Sequence, residues 1–152
     1  MPVHFIYPIY TAVLALALVA VVPKEQMREQ AIHAITFGGV GSVVMVFIYS
    51  PFNAFEWMNK GPFGYGNIAF FPPLAWTIYF IIYFYLLPRK KPWIYLFVLF
   101  AACYSTLFSN VLMNLEIFRW NKGRVLLPFF LYLSWFAVVT WLYTKVHPVK
   151  QE

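Results

Sequence analysis

The charges cut this chain into five apolar stretches, each about as long as a membrane is thick. The first is His4–Val22, closed by Pro23 and Lys24. The second, Ile32–Ser50, follows the charged KEQMREQ and ends at Pro51. Asn67–Leu87, Trp93–Leu115 and Val125–Thr144 complete the set. About 20 apolar residues in a helix cross a hydrocarbon core of about 30 Å. Barrel strands would be half that length, and open sheet edges are not tolerated in lipid, so each stretch is expected to be a helix. Composition agrees. Only 11% of the 152 residues are charged and the mean hydropathy is +0.70, whereas a soluble domain carries about 25% charged residues. The expected fold is all-α: a polytopic transmembrane helix bundle of five spans, one domain over residues 1–152.

The basic residues orient it. With the N-terminus outside, seven positives fall inside (Lys24, Arg28, Arg89, Lys90, Lys91, Lys145, Lys150) and four outside (Lys60, Arg119, Lys122, Arg124). The excess predicts N-out and C-in. No Lys or Arg precedes the first stretch, so it reads as a retained span and not a cleaved signal. The net charge of +6 sits in these short loops, where it meets lipid headgroups, and no run is long enough to track a nucleic acid backbone. Membrane lipids are therefore expected partners, with further membrane subunits or a second copy of the chain, and nucleic acid is not.

Packing signals are local. Gly38 and Ser42 stand at i, i+4 in FGGVGS, the small-residue spacing that lets another helix approach closely. The third stretch enters through Pro72-Pro73, tolerated in a first helical turn, and then carries Trp76, Tyr79 and Tyr83 on one face. In the fifth, Pro128 opens the helix, with Tyr132 and Trp135 at i, i+3. The loop 51–66, PFNAFEWMNKGPFGYG, is rich in Phe and Trp and is expected to rest at headgroup level on the outer side.

One stretch carries polar side chains through its middle: CYSTLFSNVLMNLEIFRW, Cys103–Trp120. Continued as a helix, it sets Thr106, Asn110 and Asn114 on one face, with Cys103, Ser105 and Ser109 beside them. Glu116 and Arg119 fall at i, i+3 at its end. An amide inside a membrane faces protein or water in preference to lipid, so the other helices are expected to pack around this face. It reads either as interhelical glue or as a polar pocket for a ligand headgroup. Glu56 is the other acidic candidate, predicted on the same side as Glu116. Two carboxylates converging on an apolar cavity suit general acid and base work. Tyr79, Tyr83 and Tyr104 are the deeper aromatics that would line a cavity for a flat or polyisoprenoid ligand, and Trp76, on the face of Tyr79 and Tyr83, is a candidate contact beside them.

The single cysteine, Cys103, excludes an intrachain disulfide and reads as a packing residue. His4, His33 and His147 lie near span ends with no metal-ligand spacing between them, so neither a metal site nor a haem held at matching depth is expected. The residues name no cofactor; a bound lipid or isoprenoid is the one candidate class. No glycine loop for phosphate and no nucleophile elbow is present.

Three likenesses follow from these residues. The charged loop before the second span, the proline entry in GNIAFFPPLAWTIYFIIYFYLLP, Glu116 after the fourth span and RWNKG before the fifth resemble a family of small, uncharacterised five-span membrane proteins of spore-forming Gram-positive bacteria. That resemblance implies a five-span fold in a bacterial cell membrane and no activity. FFPPLAWTIYFIIY and LPFFLYLSWFAVV are similar to segments of the tryptophan-rich sensory (translocator) proteins, five-span bundles that bind porphyrins and other apolar ligands. In those proteins four spans follow the double proline, and here three do. The proline-led span also resembles one in the membrane carotenoid (lycopene) cyclase domains, although Ala75 and Trp76 stand where their paired acidic residues would.

These readings converge on a small membrane protein without an enzyme signature. It would act as a subunit or as a binder of an apolar, lipid-like ligand. Two alternatives stand beside it: a membrane-embedded isoprenoid or lipid enzyme using Glu116 and Glu56, and a substrate-binding subunit of a transporter.

Overall fold

The computed structural model describes residues 1–148 and is mostly helical, with five helices. They are α1 (Ile6–Val21), α2 (Lys24–Phe52), α3 (Phe71–Leu86), α4 (Lys91–Asn114) and α5 (Leu126–Val146). Four are long and apolar enough to cross a membrane. A 3-10 turn, Val3–Phe5, extends α1 to 19 residues, while α2, α4 and α5 run for 29, 24 and 21 residues. The remaining helix, α3, has 16 residues. At 1.5 Å per residue it reaches about 24 Å.

Two expected boundaries move, for local reasons. The charged KEQMREQ was expected as a loop before the second span, yet α2 begins at Lys24. Pro23 lies extended at ψ 149° and cannot donate, which fits it to precede a first turn, and Glu25 favours that turn's dipole. This added segment is not a free extension, because Gln30 and Ala34 are buried. The third span was expected from Asn67. The chain there instead forms a hairpin of β2 (Gly64–Tyr65) and β3 (Ile68–Ala69), and α3 waits for the two prolines in its first turn.

An all-α expectation also omitted a second pairing. β1 (Phe55–Trp57) lies antiparallel to β4 (Phe118–Trp120), with Phe55 opposite Trp120, Glu56 opposite Arg119 and Trp57 opposite Phe118. Interfacial backbone needs partners once water is scarce, and the loops after α2 and α4 supply them to each other. Asn53 and Glu116, at φ 46° and 56°, turn the chain out of α2 and α4 into these strands.

The centre is α3. Buried in α3 are Pro72, Ala75, Ile78, Phe80, Ile81, Tyr83 and Phe84, and α3 packs on α1 and on α2, while α4 and α5 pack on each other. Around Phe80 a core gathers Ala34 from α2, Val98 and Ala102 from α4, and Phe136 and Val139 from α5. A second cluster sits under the strands: Tyr7, Ala75, Leu112, Ile117, Phe118 and Trp120.

The close approach expected of Gly38 is present, and its partner is α3. Residues Ile35–Val40 of α2 take a π-helical turn. There Gly38 lies so near α3 that an added Cβ would stand 2.5 Å from the Trp76 carbonyl oxygen. Ser42, one turn on, is buried and donates to the Gly39 carbonyl at 2.9 Å.

Candidate functional site

The polar stretch in α4 is arranged differently from its expectation. Thr106 is buried, Asn110 half-buried, and Asn114 exposed, so the three do not form one inward face. The buried polar set is Ser105, Thr106 and Ser109. Most of these groups are satisfied along their own helix. Thr106 Oγ1 donates to the Ala102 carbonyl, while Ser109 Oγ and Asn110 Nδ2 both donate to the Thr106 carbonyl, all at 2.8–2.9 Å. Asn110 also reaches the Arg124 carbonyl at 2.7 Å, which ties the loop before α5 back to α4.

The expected Glu116–Arg119 pairing is corrected. A helical i, i+3 pair needs the helix to continue, but α4 stops at Asn114 and Glu116 turns left-handed. Arg119 instead pairs with Glu56 across the strands, Nε to Oε1 at 3.4 Å, both side chains about half exposed. Glu116 is exposed, and its carbonyl accepts from Asn59 Nδ2 at 2.8 Å. The two acidic candidates thus stand at the strand-capped end, with Glu56 occupied by a cation in a watery setting.

The cavities lie deeper, on either side of Trp76. One, of about 50 Å³, is walled by five tyrosines (Tyr7, Tyr10, Tyr79, Tyr104 and Tyr132), with Ser105 and Ser109. The other, of about 70 Å³, is apolar and lies among α2, α3 and α5, bounded by Met45, Pro73, Leu131 and Trp135. Trp57, Trp76, Phe118 and Tyr132 border both. The strands form one wall, held to α4 where Trp120 Nε1 donates to Ser109 Oγ at 3.0 Å.

The aromatic walls are contiguous. Trp76 lies 5.0 Å from Trp135 and 5.5 Å from Tyr79, and Tyr79 lies parallel to Tyr104 at 6.1 Å. Tyr104 continues to Phe108, which stacks on Tyr10 at 4.3 Å. Of the three deeper aromatics expected to line a cavity, Tyr79 and Tyr104 do, and the candidate contact Trp76 joins them. Tyr83 does not border these two cavities, and its hydroxyl shares a 2.7 Å hydrogen bond with Thr140. Sequence reasoning missed Tyr7 and Tyr10 of α1, whose only signal was the pairing of Tyr7 with Thr11 one turn later. It also missed Trp57 and Phe118, placed by a strand pairing between distant loops.

Two larger spaces open at the other end. A groove of about 410 Å³ between α4 and α5 runs from Lys91 past Ile94 and Val98 to Trp141, over which Lys145 Nζ sits at 3.9 Å. A cavity of about 340 Å³ is bounded by Gln26, Glu29, Gln30, Arg89, Tyr143 and His147. Among the described residues no cluster of three or more His, Cys, Asp or Glu is placed to hold a metal.

No family model, curated protein or solved structure matches the chain.

Proposed function

We propose that this is a five-span protein of a bacterial cell membrane, N-out and C-in, that works by holding an apolar, lipid-like ligand against the aromatic wall around Trp76. The pairing of β1 with β4 supports the count. Residues 55–57 and 118–120 must lie on one side, so an even number of crossings separates them. Only α3 and α4 lie between, and α4 is long enough to cross, so α3 crosses with it.

The observation that carries the ligand reading is the pair of cavities sharing Trp57, Trp76, Phe118 and Tyr132 as partition. As they stand they hold a few waters or a short apolar group each. A flat ring or a prenyl tail fits when the Trp76 or Tyr132 side chain swings and joins them. Phenols on the α1–α4 side, with the Ser105 hydroxyl, give the polar end of such a ligand its partners. The enzyme alternative gains no such support, because Glu56 is paired and Glu116 faces outward. Exposed apolar side chains such as Leu16, Val19 and Ile32 form the surface that meets lipid or a neighbouring subunit.

Native mass spectrometry of protein extracted in mild detergent tests this. The parent is expected to carry a co-purifying apolar molecule, and Ala75→Leu, which fills the tyrosine-walled cavity, to lose it while staying folded. A parent that carries nothing, or an Ala75→Leu variant that carries the same load, overturns the reading.

A further inference from the structure

Two of the three histidines, unremarkable by their spacing in sequence, meet in space. His33 lies in α2, and His147 directly follows α5, held there by its amide bonded to the Tyr143 carbonyl at 2.9 Å. Their rings are 5.0 Å apart at 73°. Tyr143 fixes both: His147 stacks on it at 4.6 Å, and His33 meets it edge-on at 5.4 Å. Tyr143 is itself anchored, its hydroxyl donating to Gln30 Oε1 at 2.8 Å. Yet the Nδ1 atoms of both histidines are buried with no hydrogen-bond partner among the described residues. Buried polar atoms in folded proteins are nearly always satisfied, by protein, water or an ion. Two orphaned imidazole nitrogens on adjacent rings ask for one shared occupant.

We infer that His33 and His147 bind a single divalent transition-metal ion that clasps α2 to the end of α5. Two imidazoles on one tetrahedral ion, with metal–nitrogen distances of about 2.0–2.1 Å, hold their ring centres about 5 Å apart. That matches the separation in place. Imidazole donors select zinc, copper or nickel over magnesium or calcium. The cavity of about 340 Å³ borders His147. Glu29 and Arg89 both line it, one favouring a cation and the other opposing it, so the selectivity rests on the imidazoles. The inference is independent of the ligand reading at Trp76.

The test uses the full chain without a polyhistidine tag, stripped with chelator in detergent. Zn²⁺ is expected to raise the unfolding temperature with one-to-one saturation, and Mg²⁺ to leave it unchanged. His33→Gln and His147→Gln should each weaken Zn²⁺ binding tenfold or more, and His4→Gln should not. One equivalent of Cu²⁺ on the parent, read by electron paramagnetic resonance, needs no variant and should show splitting from two nitrogens. No Zn²⁺ effect on the parent, equal binding in either His variant, or a copper signal with fewer than two nitrogens overturns the inference. A water bridging the two rings would give the first of these.

Discussion

Helices α1 and α3 are each 16 residues long and almost wholly apolar, and they occupy opposite places in the molecule. Only Tyr7 and Thr11 of α1 are buried, and Leu16 and Val19 are 71% and 72% exposed. In α3 seven residues are buried, and Phe80 is at 0%. Apolarity cannot separate them, because lipid is as apolar as the core. Side-chain volume and shape can. Helices associate in lipid through packing and not through escape from water, and α3 carries Phe, Tyr and Trp along its length where α1, beyond Tyr7 and Tyr10, carries mostly Ala, Val and Leu. The large rings of α3 reach α4 and α5, and the glycines of α2 let its backbone come close.

The largest effect should come from emptying that centre. Phe80→Ala removes a fully buried ring at the junction of α2, α3 and α5, and should cost about 3–5 kcal/mol, measured as denaturant unfolding in detergent. An effect no larger than that of Leu16→Ala would erase the distinction between the two helices. Next, Gly38→Ala drives a methyl against the Trp76 carbonyl and should cost about 1–3 kcal/mol by the same measurement. Gly41→Ala, whose nearest neighbour atoms stand at 3.4 Å or beyond, should be milder.

The remaining effects are small, and their smallness sharpens the contrast. Glu56→Gln removes a half-exposed pair with Arg119 and should cost no more than about 1 kcal/mol, with Arg119→Gln equal to it and Glu116→Gln near neutral. A large loss of bound ligand in Glu116→Gln would return the acidic residues to the site. Leu16→Ala, on the outward face of α1, should stay within about 0.5 kcal/mol.

Much of this was legible in the chain. Charge spacing marked the apolar helices, and the small residues marked the close approach at Gly38. Pro72-Pro73 marked the entry to α3, and Trp76 and Tyr79 were drawn from their shared face. What escaped depends on pairings between residues far apart in sequence. Nothing local to Glu56 says that Arg119 will stand opposite it, so the helical i, i+3 partner looked sufficient. The polar run in α4 drew attention because amides are costly in lipid, but its hydroxyls and Asn110 mostly turn back onto backbone carbonyls. His33 and His147 have no metal-ligand spacing in sequence, and their meeting is made by two separate helices.

The central claim is that α3 both crosses the membrane and forms the core of the bundle, and site-directed labelling tests it most directly. In a Cys103→Ala background, single cysteines at Tyr65, Lys90 and Lys122 are treated with an impermeant thiol reagent in intact cells. Tyr65→Cys and Lys122→Cys are predicted to react at once, and Lys90→Cys only after permeabilisation. If Tyr65→Cys and Lys90→Cys label from the same side, α3 does not cross, and the strand pairing and the five-span account fall together.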